Sequence, residues 1–309
     1  MAKKILLDCD PGLDDALALL LAHGDPALEL VGVTTVGGNV SLERTTANAL
    51  ALREYLGFDK VPVAAGAGEP LLGEVREASH VHGETGLGSV ELPAPILPVS
   101  RLHAVDFIIE TLRATPGAIH LVATGPLTNI ALALKKEPAI ARWAASFTIM
   151  GGSFTRGNAT PAAEFNIYSD PEAARVVFDG DWQVVMVGLD LTHQALANGP
   201  VVERLATLGT LAHELILPLA TYYASRNSSD PDGQAVHDVC AVAHVSRPDL
   251  FASRAARVDI ETRGDLTSGM TVVDFDAPIP NAIVPVTLDV AGFWAYVEHV
   301  YGLVAAHHG

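Results

Sequence analysis

The chain has 309 residues, 49% of them apolar and 18% charged, so it can bury a sizeable core and disorder is not expected. Its formal net charge of -17 repels phosphate backbones and anionic bilayers, which speaks against nucleic-acid and membrane partners and suits small neutral substrates and divalent cations. Cys9 and Cys240 are too few for a disulfide framework and read as reduced thiols of a cytoplasmic protein.

Lys3 and Lys4 before Ile5-Leu6-Leu7 imitate the start of a signal peptide, but Asp8 and Asp10 interrupt the apolar run and no cleavage site follows. The stretch Ala16 to Ala22 is too short to span a bilayer. Strands are expected at Ile5–Leu7, Leu30–Thr35, Val61–Ala65, Ile119–Ala123, Phe147–Met150 and Val184–Val187. Between them lie helical patterns at Asp14–His23, Leu42–Leu56, Ala104–Arg113, Asn129–Lys136 and Pro171–Phe178. Residues from about Pro200 to Val245 read as successive helices, and strands follow at Val258–Glu261, Met270–Val273 and Ile283–Leu288. A closing helix runs from about Val290 to Ala306. Continuous apolar strands separated by helices predict an α/β fold with an open, mostly parallel sheet covered on both faces. No Pro/Gly/Ser-rich boundary divides the chain, so residues 1–309 are expected to form a single domain with a helical C-terminal elaboration. The long loops Gly66–Pro98 and Gly151–Ser169 are candidates for function.

The strongest chemical signal is Asp8-Cys9-Asp10-Pro11-Gly12-Leu13-Asp14-Asp15-Ala16, four carboxylates within eight positions between an apolar strand and an apolar helix. Strand geometry points Asp8 and Asp10 to one side and turns Cys9 to the core. Pro11-Gly12 makes the turn, and Asp14-Asp15 fall in the first helical turn, where the helix dipole favours negative charge. A helix cap needs one Asp. Crowding the others costs energy unless a hard divalent cation compensates. Polar clusters also end later strands: Gly37-Gly38-Asn39, the run Thr124-Gly125-Pro126-Leu127-Thr128-Asn129, and Met150-Gly151-Gly152. In open parallel sheets such strand ends converge on one crevice. Asn158, Glu164 and Asn166 supply amides and a carboxylate suited to sugar hydroxyls, whereas a phosphate site would want Arg, Lys or a glycine nest. Val236-His237-Asp238 sets a His beside an Asp at the head of a helix.

Taken together, these landmarks resemble the inosine–uridine-preferring nucleoside hydrolase family along essentially the whole chain. The Asp-Cys-Asp-Pro-Gly-Leu-Asp-Asp-Ala segment matches that family's signature. Gly-Gly-Asn at Gly37, Thr-Gly-Pro-Leu-Thr-Asn at Thr124, Met-Gly-Gly at Met150, Ala-Glu-Phe-Asn at Ala163 and Val-His-Asp at Val236 follow in order. The resemblance implies a Rossmann-like nucleoside hydrolase fold and calcium-dependent cleavage of ribonucleosides, purine or pyrimidine, to ribose and free base. It implies calcium ligands at Asp10, Asp15, Asp238 and the Thr124 carbonyl, with Asp10 also the base that activates water. Ribose would meet Asp14, Asn39, Asn158, Glu164, Asn166 and the Met150 backbone, and a homodimer or homotetramer is implied.

His237 is the candidate acid for the leaving base, because histidine can hold a proton near neutral pH. His82 resembles a family position near the nucleobase, with a surface-loop histidine as the alternative. Tyr222 and Tyr223 could stack on a base, but helix packing is the better expectation. Asp190, His193 and the His307-His308 pair receive no role. Two other functions fit parts of the pattern. A phosphohydrolase with Asp8 as nucleophile would need a lysine and a phosphate-binding threonine that cannot be placed. A ribose-binding protein without catalysis would not require the acid quartet.

Overall fold

The computed structural model describes residues 2–226 and 233–308. Part of the helical stretch expected between Pro200 and Val245, and part of the Tyr222–His237 region, therefore lies outside the described residues. In chain order the strands are β1 (Lys3–Cys9), β2 (Leu28–Thr35), β3 (Val63–Ala65), β4 (Ile119–Ala123), β5 (Ala144–Met150), β6 (Val184–Val187), β7 (Leu196–Ala197), β8 (Gln234–Ala235), β9 (Phe251–Ile260), β10 (Thr271–Asp274) and β11 (Ala282–Leu288). Nine of them form one sheet in the order β10-β9-β11-β6-β5-β4-β1-β2-β3, and β7 pairs with β8 apart from it. From β3 to β11 the neighbours run parallel, while β9 and β10 add an antiparallel edge.

The expected parallel α/β sheet is thus present, and its strand order changes direction at β1. There β1 lies between β2 and β4, so the chain leaves it to one side first and to the other later. That is the switch point where doubly wound sheets open a crevice beyond their carboxyl ends. β3 begins at Val63 rather than Val61, since Pro62 has no N–H to give to a ladder. The Pro200–Val245 reading needs a second correction. β8 interrupts the helices at Gln234–Ala235, paired with β7, a two-residue pairing too short to show as alternation.

Strand periodicity sorts β1 between two apolar layers. Ile5, Leu7 and Cys9 join the core beneath the helix Leu13–Gly24, whereas Leu6 joins the opposite core beneath the helices Ala104–Ala114, Thr128–Lys136 and Pro171–Phe178. Cys9 is therefore a core thiol, as its position between two acids predicts. The helix Leu13–Gly24 is rich in Leu and Ala and buried all round, because the helices His237–Ser246 and Val290–Ala305 cover its far side. A helix apolar on every face has to sit inside. Its first turn is consequently carried, acids included, into the interior at the end of β1.

Candidate active site

Asp8, at the end of β1, is fully buried and accepts hydrogen bonds from Thr34 Oγ1 (2.5 Å) and Asn129 Nδ2 (2.8 Å). Burial nevertheless pushes its carboxyl up to about 7. Asp10 follows just beyond the strand and is also fully buried. Its Oδ2 accepts from the Asn39 backbone N–H (2.7 Å), while its Oδ1 is buried with no hydrogen-bond partner among the described residues. The glycines around it are required by contact. A Cβ on Gly38 would stand 2.1 Å from Asp10 Oδ2, and one on Gly125 would stand 2.6 Å from Asp10 Oδ1. The Gly-Gly-Asn and Thr-Gly-Pro runs are thus walls of the Asp10 pocket.

Asp14, Asp15 and Asp238 form the tightest acid group, with ligand oxygens all within 4.8 Å of one another. Asp15 is its hub: Oδ2 accepts from Gly12 N (3.0 Å) and Asn39 Nδ2 (3.0 Å), and Oδ1 from Thr124 Oγ1 (2.9 Å). Burial, followed by mutual repulsion, holds the Asp10 and Asp238 carboxyls well above the usual carboxylate range, and Asp14 is pushed up to about 7. Asp15 is raised by burial and partly relieved by its hydrogen bonds. Four acids that resist ionisation side by side, one with an orphaned oxygen, are a donor set that fits a hard cation. Asp14, expected against the sugar, sits inside the tight triad. Asp10, expected as a ligand, accepts from Asn39 N and is not part of that triad.

The sugar-side residues converge on the same place from β5 and the loop after it. Glu164 caps the short helix Phe165–Ser169, taking hydrogen bonds from Asn166 N (2.9 Å), Gly152 N (2.9 Å) and Ile167 N (3.2 Å). Burial raises its carboxyl to about 6 against those bonds. Asn166 Nδ2 donates to the Thr124 carbonyl (2.7 Å) and the Met150 carbonyl (3.1 Å), tying the ends of β4 and β5 together. The Thr124 carbonyl keeps a second lone pair for another partner. Asn158 is not brought into this buried group. It is exposed, and its Oδ1 accepts from Phe165 N (2.9 Å), which fastens its loop to the Glu164 segment.

His82 is not a surface-loop residue. It is buried on the short helix Ser79–His82, and its Nδ1 accepts from Leu13 N (3.1 Å). A Cβ on Gly12 would meet that nitrogen at 2.3 Å, so the signature's glycine makes room for it. The Tyr223 ring lies 6.0 Å from His82 and 6.5 Å from His237, between the two imidazoles. Tyr223 packs in the core as expected and also borders the site. Tyr222 covers Gly83 and Gly88. His237 is buried with Nδ1 2.7 Å from Thr192 Oγ1, and the exposed His193 stands edge-on to it at 5.6 Å. Burial, then the neighbouring His193 and His82, push His237 down to about 3. Burial thus disfavours the charged imidazole in this setting.

Sequence reasoning placed Asn129 only within its strand-end run, with no role of its own, and missed Thr192. Asn129 holds Asp8, and the signal was present, since a second inward acid beside Asp10 needs a donor. Thr192 has no local signal, because its partner is 45 residues away.

A doubly wound sheet with buried carboxylates gathered at its switch point defines a Rossmann-like α/β protein with a ligand crevice beyond β1, whose donors fit a hard cation. Residues 5–295 match the family described as Inosine-uridine preferring nucleoside hydrolase, and the chain belongs to that family, whose members are N-glycosidases acting on ribonucleosides. It is 48% identical over 303 residues to an inosine-uridine preferring nucleoside hydrolase of Leishmania major, covering 96% of each chain. It is 41% identical over 299 residues to a pyrimidine-specific ribonucleoside hydrolase of Citrobacter koseri, covering 95% of this chain and 96% of that one. Among solved structures, a purine-preferring ribonucleoside hydrolase from Gardnerella vaginalis superposes with a TM-score of 0.92 at 33% identity, covering 98% of this chain and all of the other.

Proposed function

We propose that this protein hydrolyses the N-glycosidic bond of purine or pyrimidine ribonucleosides with calcium, releasing ribose and the free base in nucleoside salvage or catabolism. The observation that carries the reading is the buried Asp10 Oδ1 without a partner, beside three further raised carboxyls. Asp10, Asp15, Asp238 and the Thr124 carbonyl would hold the ion, with Asp14 close enough to share it or to take a ribose hydroxyl. When bound, calcium supplies flexible oxygen coordination for the sugar diol and a water, and it makes that water more acidic.

Asp10 would take the proton of the attacking water at Oδ1, a reading supported by the commitment of Oδ2 to Asn39. Glu164 and Asn166 are held rigid by backbone partners, so they orient ribose hydroxyls without reorganisation, and Asn39 and the Met150 backbone line the same floor. Asn158 reaches the sugar only from the rim. Positive charge building at C1′ is met by the surrounding carboxylates. His237 meets the departing base, and His82 and Tyr223 border the space for it. The relatives differ in the bases their names declare, which fits a shared ribose site with a variable base side. The reading extends to a cytoplasmic homodimer or homotetramer, to be checked by sedimentation. The test of function is ribose release from inosine, adenosine, uridine and cytidine, with calcium and with excess chelator. Calcium-dependent release supports the reading; no release from any of them by folded, calcium-loaded protein refutes it.

A further inference from the structure

The helix Leu189–Thr192, which carries Asp190 and precedes His193, is pinned from several sides. Leu189 N donates to the Gly152 carbonyl (2.9 Å), and Asp190 accepts from Phe154 N (2.6 Å) and from the Thr155 hydroxyl. Gln194 Nε2 donates to the Asp190 carbonyl (2.9 Å) and to the Val286 carbonyl (3.0 Å), while its Oε1 accepts from Leu288 N (3.0 Å). Gly152 also donates to Glu164, so one backbone corner supports both the sugar side and this helix. From it Thr192 reaches His237, whose own helix begins without a side-chain cap.

A threonine hydroxyl has one proton to give. The Leu189 carbonyl lies 3.4 Å from Thr192 Oγ1, at the limit of a hydrogen bond, whereas His237 Nδ1 lies at 2.7 Å, an ordinary O–H···N distance. Donation to Nδ1 leaves the ring's own hydrogen on Nε2. We propose that Thr192 is a positioning residue for departure of the base: its hydroxyl fixes the orientation and tautomer of His237 so that Nε2–H faces the leaving nitrogen. This rests on the nucleoside-hydrolase reading and adds to it the residue that aims the donor. As the C1′–N bond breaks, its electron pair moves onto the base nitrogen, and the Nε2–H hydrogen bond stabilises that developing charge.

Thr192→Val keeps the shape and removes the hydroxyl, leaving Nδ1 without its donor. With the full-length, calcium-loaded protein, turnover of inosine and uridine is compared with that of 4-nitrophenyl ribofuranoside, whose leaving group departs as a stable anion. Thr192→Val should lower kcat for the nucleosides by about 10–100-fold. KM should hold, the nitrophenyl riboside should stay within about threefold, and Thr192→Ser should restore nucleoside turnover. Equal losses on both substrates, or no loss on either, overturn the proposal. Histidine ¹⁵N shifts, assigned by comparison with His237→Gln, provide a readout independent of turnover. Hydrogen on Nε2 in the wild type and its redistribution in Thr192→Val support the assignment; hydrogen on Nδ1 in the wild type overturns it. Wild-type protein that cleaves neither kind of riboside brings down the nucleoside reading and this proposal together, whereas an unchanged Thr192→Val brings down this proposal alone.

Discussion

Replacing Asp15 with Asn should stabilise the chelated protein while blunting its response to calcium. Asp15 sits in the interior with one carboxylate oxygen within 4.8 Å of an oxygen each of Asp14 and Asp238. At that separation, two ionised carboxylates repel by about 3.5 kcal/mol with an effective dielectric constant of about 20. Proton uptake by the cluster caps this cost, so relief of about 1–3 kcal/mol is expected at neutral pH. The hydrogen bonds survive the change. The Asn oxygen can still accept from Gly12 N and Asn39 Nδ2, and its amide can donate to Thr124 Oγ1, a hydroxyl free to turn. At about 2–4 °C per kcal/mol, the chelated variant should melt several degrees above the chelated wild type. The calcium-induced rise in Tm should shrink, because a charged ligand is gone. Melting by calorimetry in chelator and in calcium measures both. A chelated variant that melts below the wild type would mean that Asp15 is chiefly a structural hydrogen-bond hub and that repulsion does not shape this site.

Four further outcomes follow from the same geometry. In chelator stability should fall as pH rises from about 5 to 7, because the raised carboxyls of Asp8, Asp10, Asp14, Asp15, Glu164 and Asp238 outnumber the strongly lowered imidazoles of His82, His237 and His244. Asp8 and Asp14, raised to about 7, make the folded state hold extra protons and lose stability as pH rises. His82 and His237, lowered to about 3, make it hold fewer and gain stability over the same window. Calcium must displace the carboxyl protons, so its stabilising effect should grow from about pH 5.5 to about pH 8, and Tm measured with and without the ion checks the sign. Gly125→Ala places a Cβ 2.6 Å from Asp10 Oδ1 and should reduce ribose release at least about 100-fold, read by single-turnover kinetics. Asn129→Ala removes donors to Asp8 and the Thr35 carbonyl and the acceptor for Ala67 N, which should cost about 2–4 kcal/mol in a urea melt.

The sequence by itself determined the class of fold and most of the acid centre. Apolar strands alternating with helices impose a covered parallel sheet, and two-residue spacing turns Asp8 and Asp10 one way and Cys9 the other whatever the tertiary arrangement. Glycine at 38 and 125 was visible in the motifs, but its purpose was not, because the carboxylate that fills the space comes from another strand. Only the tertiary structure decided which acids stand closest, placing Asp14 inside the triad and drawing Asp10 to the Asn39 amide. It also buried His82, left Asn158 exposed, and paired His237 with Thr192. The division has one physical cause. Periodicity and turn chemistry act over a few residues, whereas desolvation, charge crowding and long-range hydrogen bonds depend on which strand ends meet at the switch point beside β1.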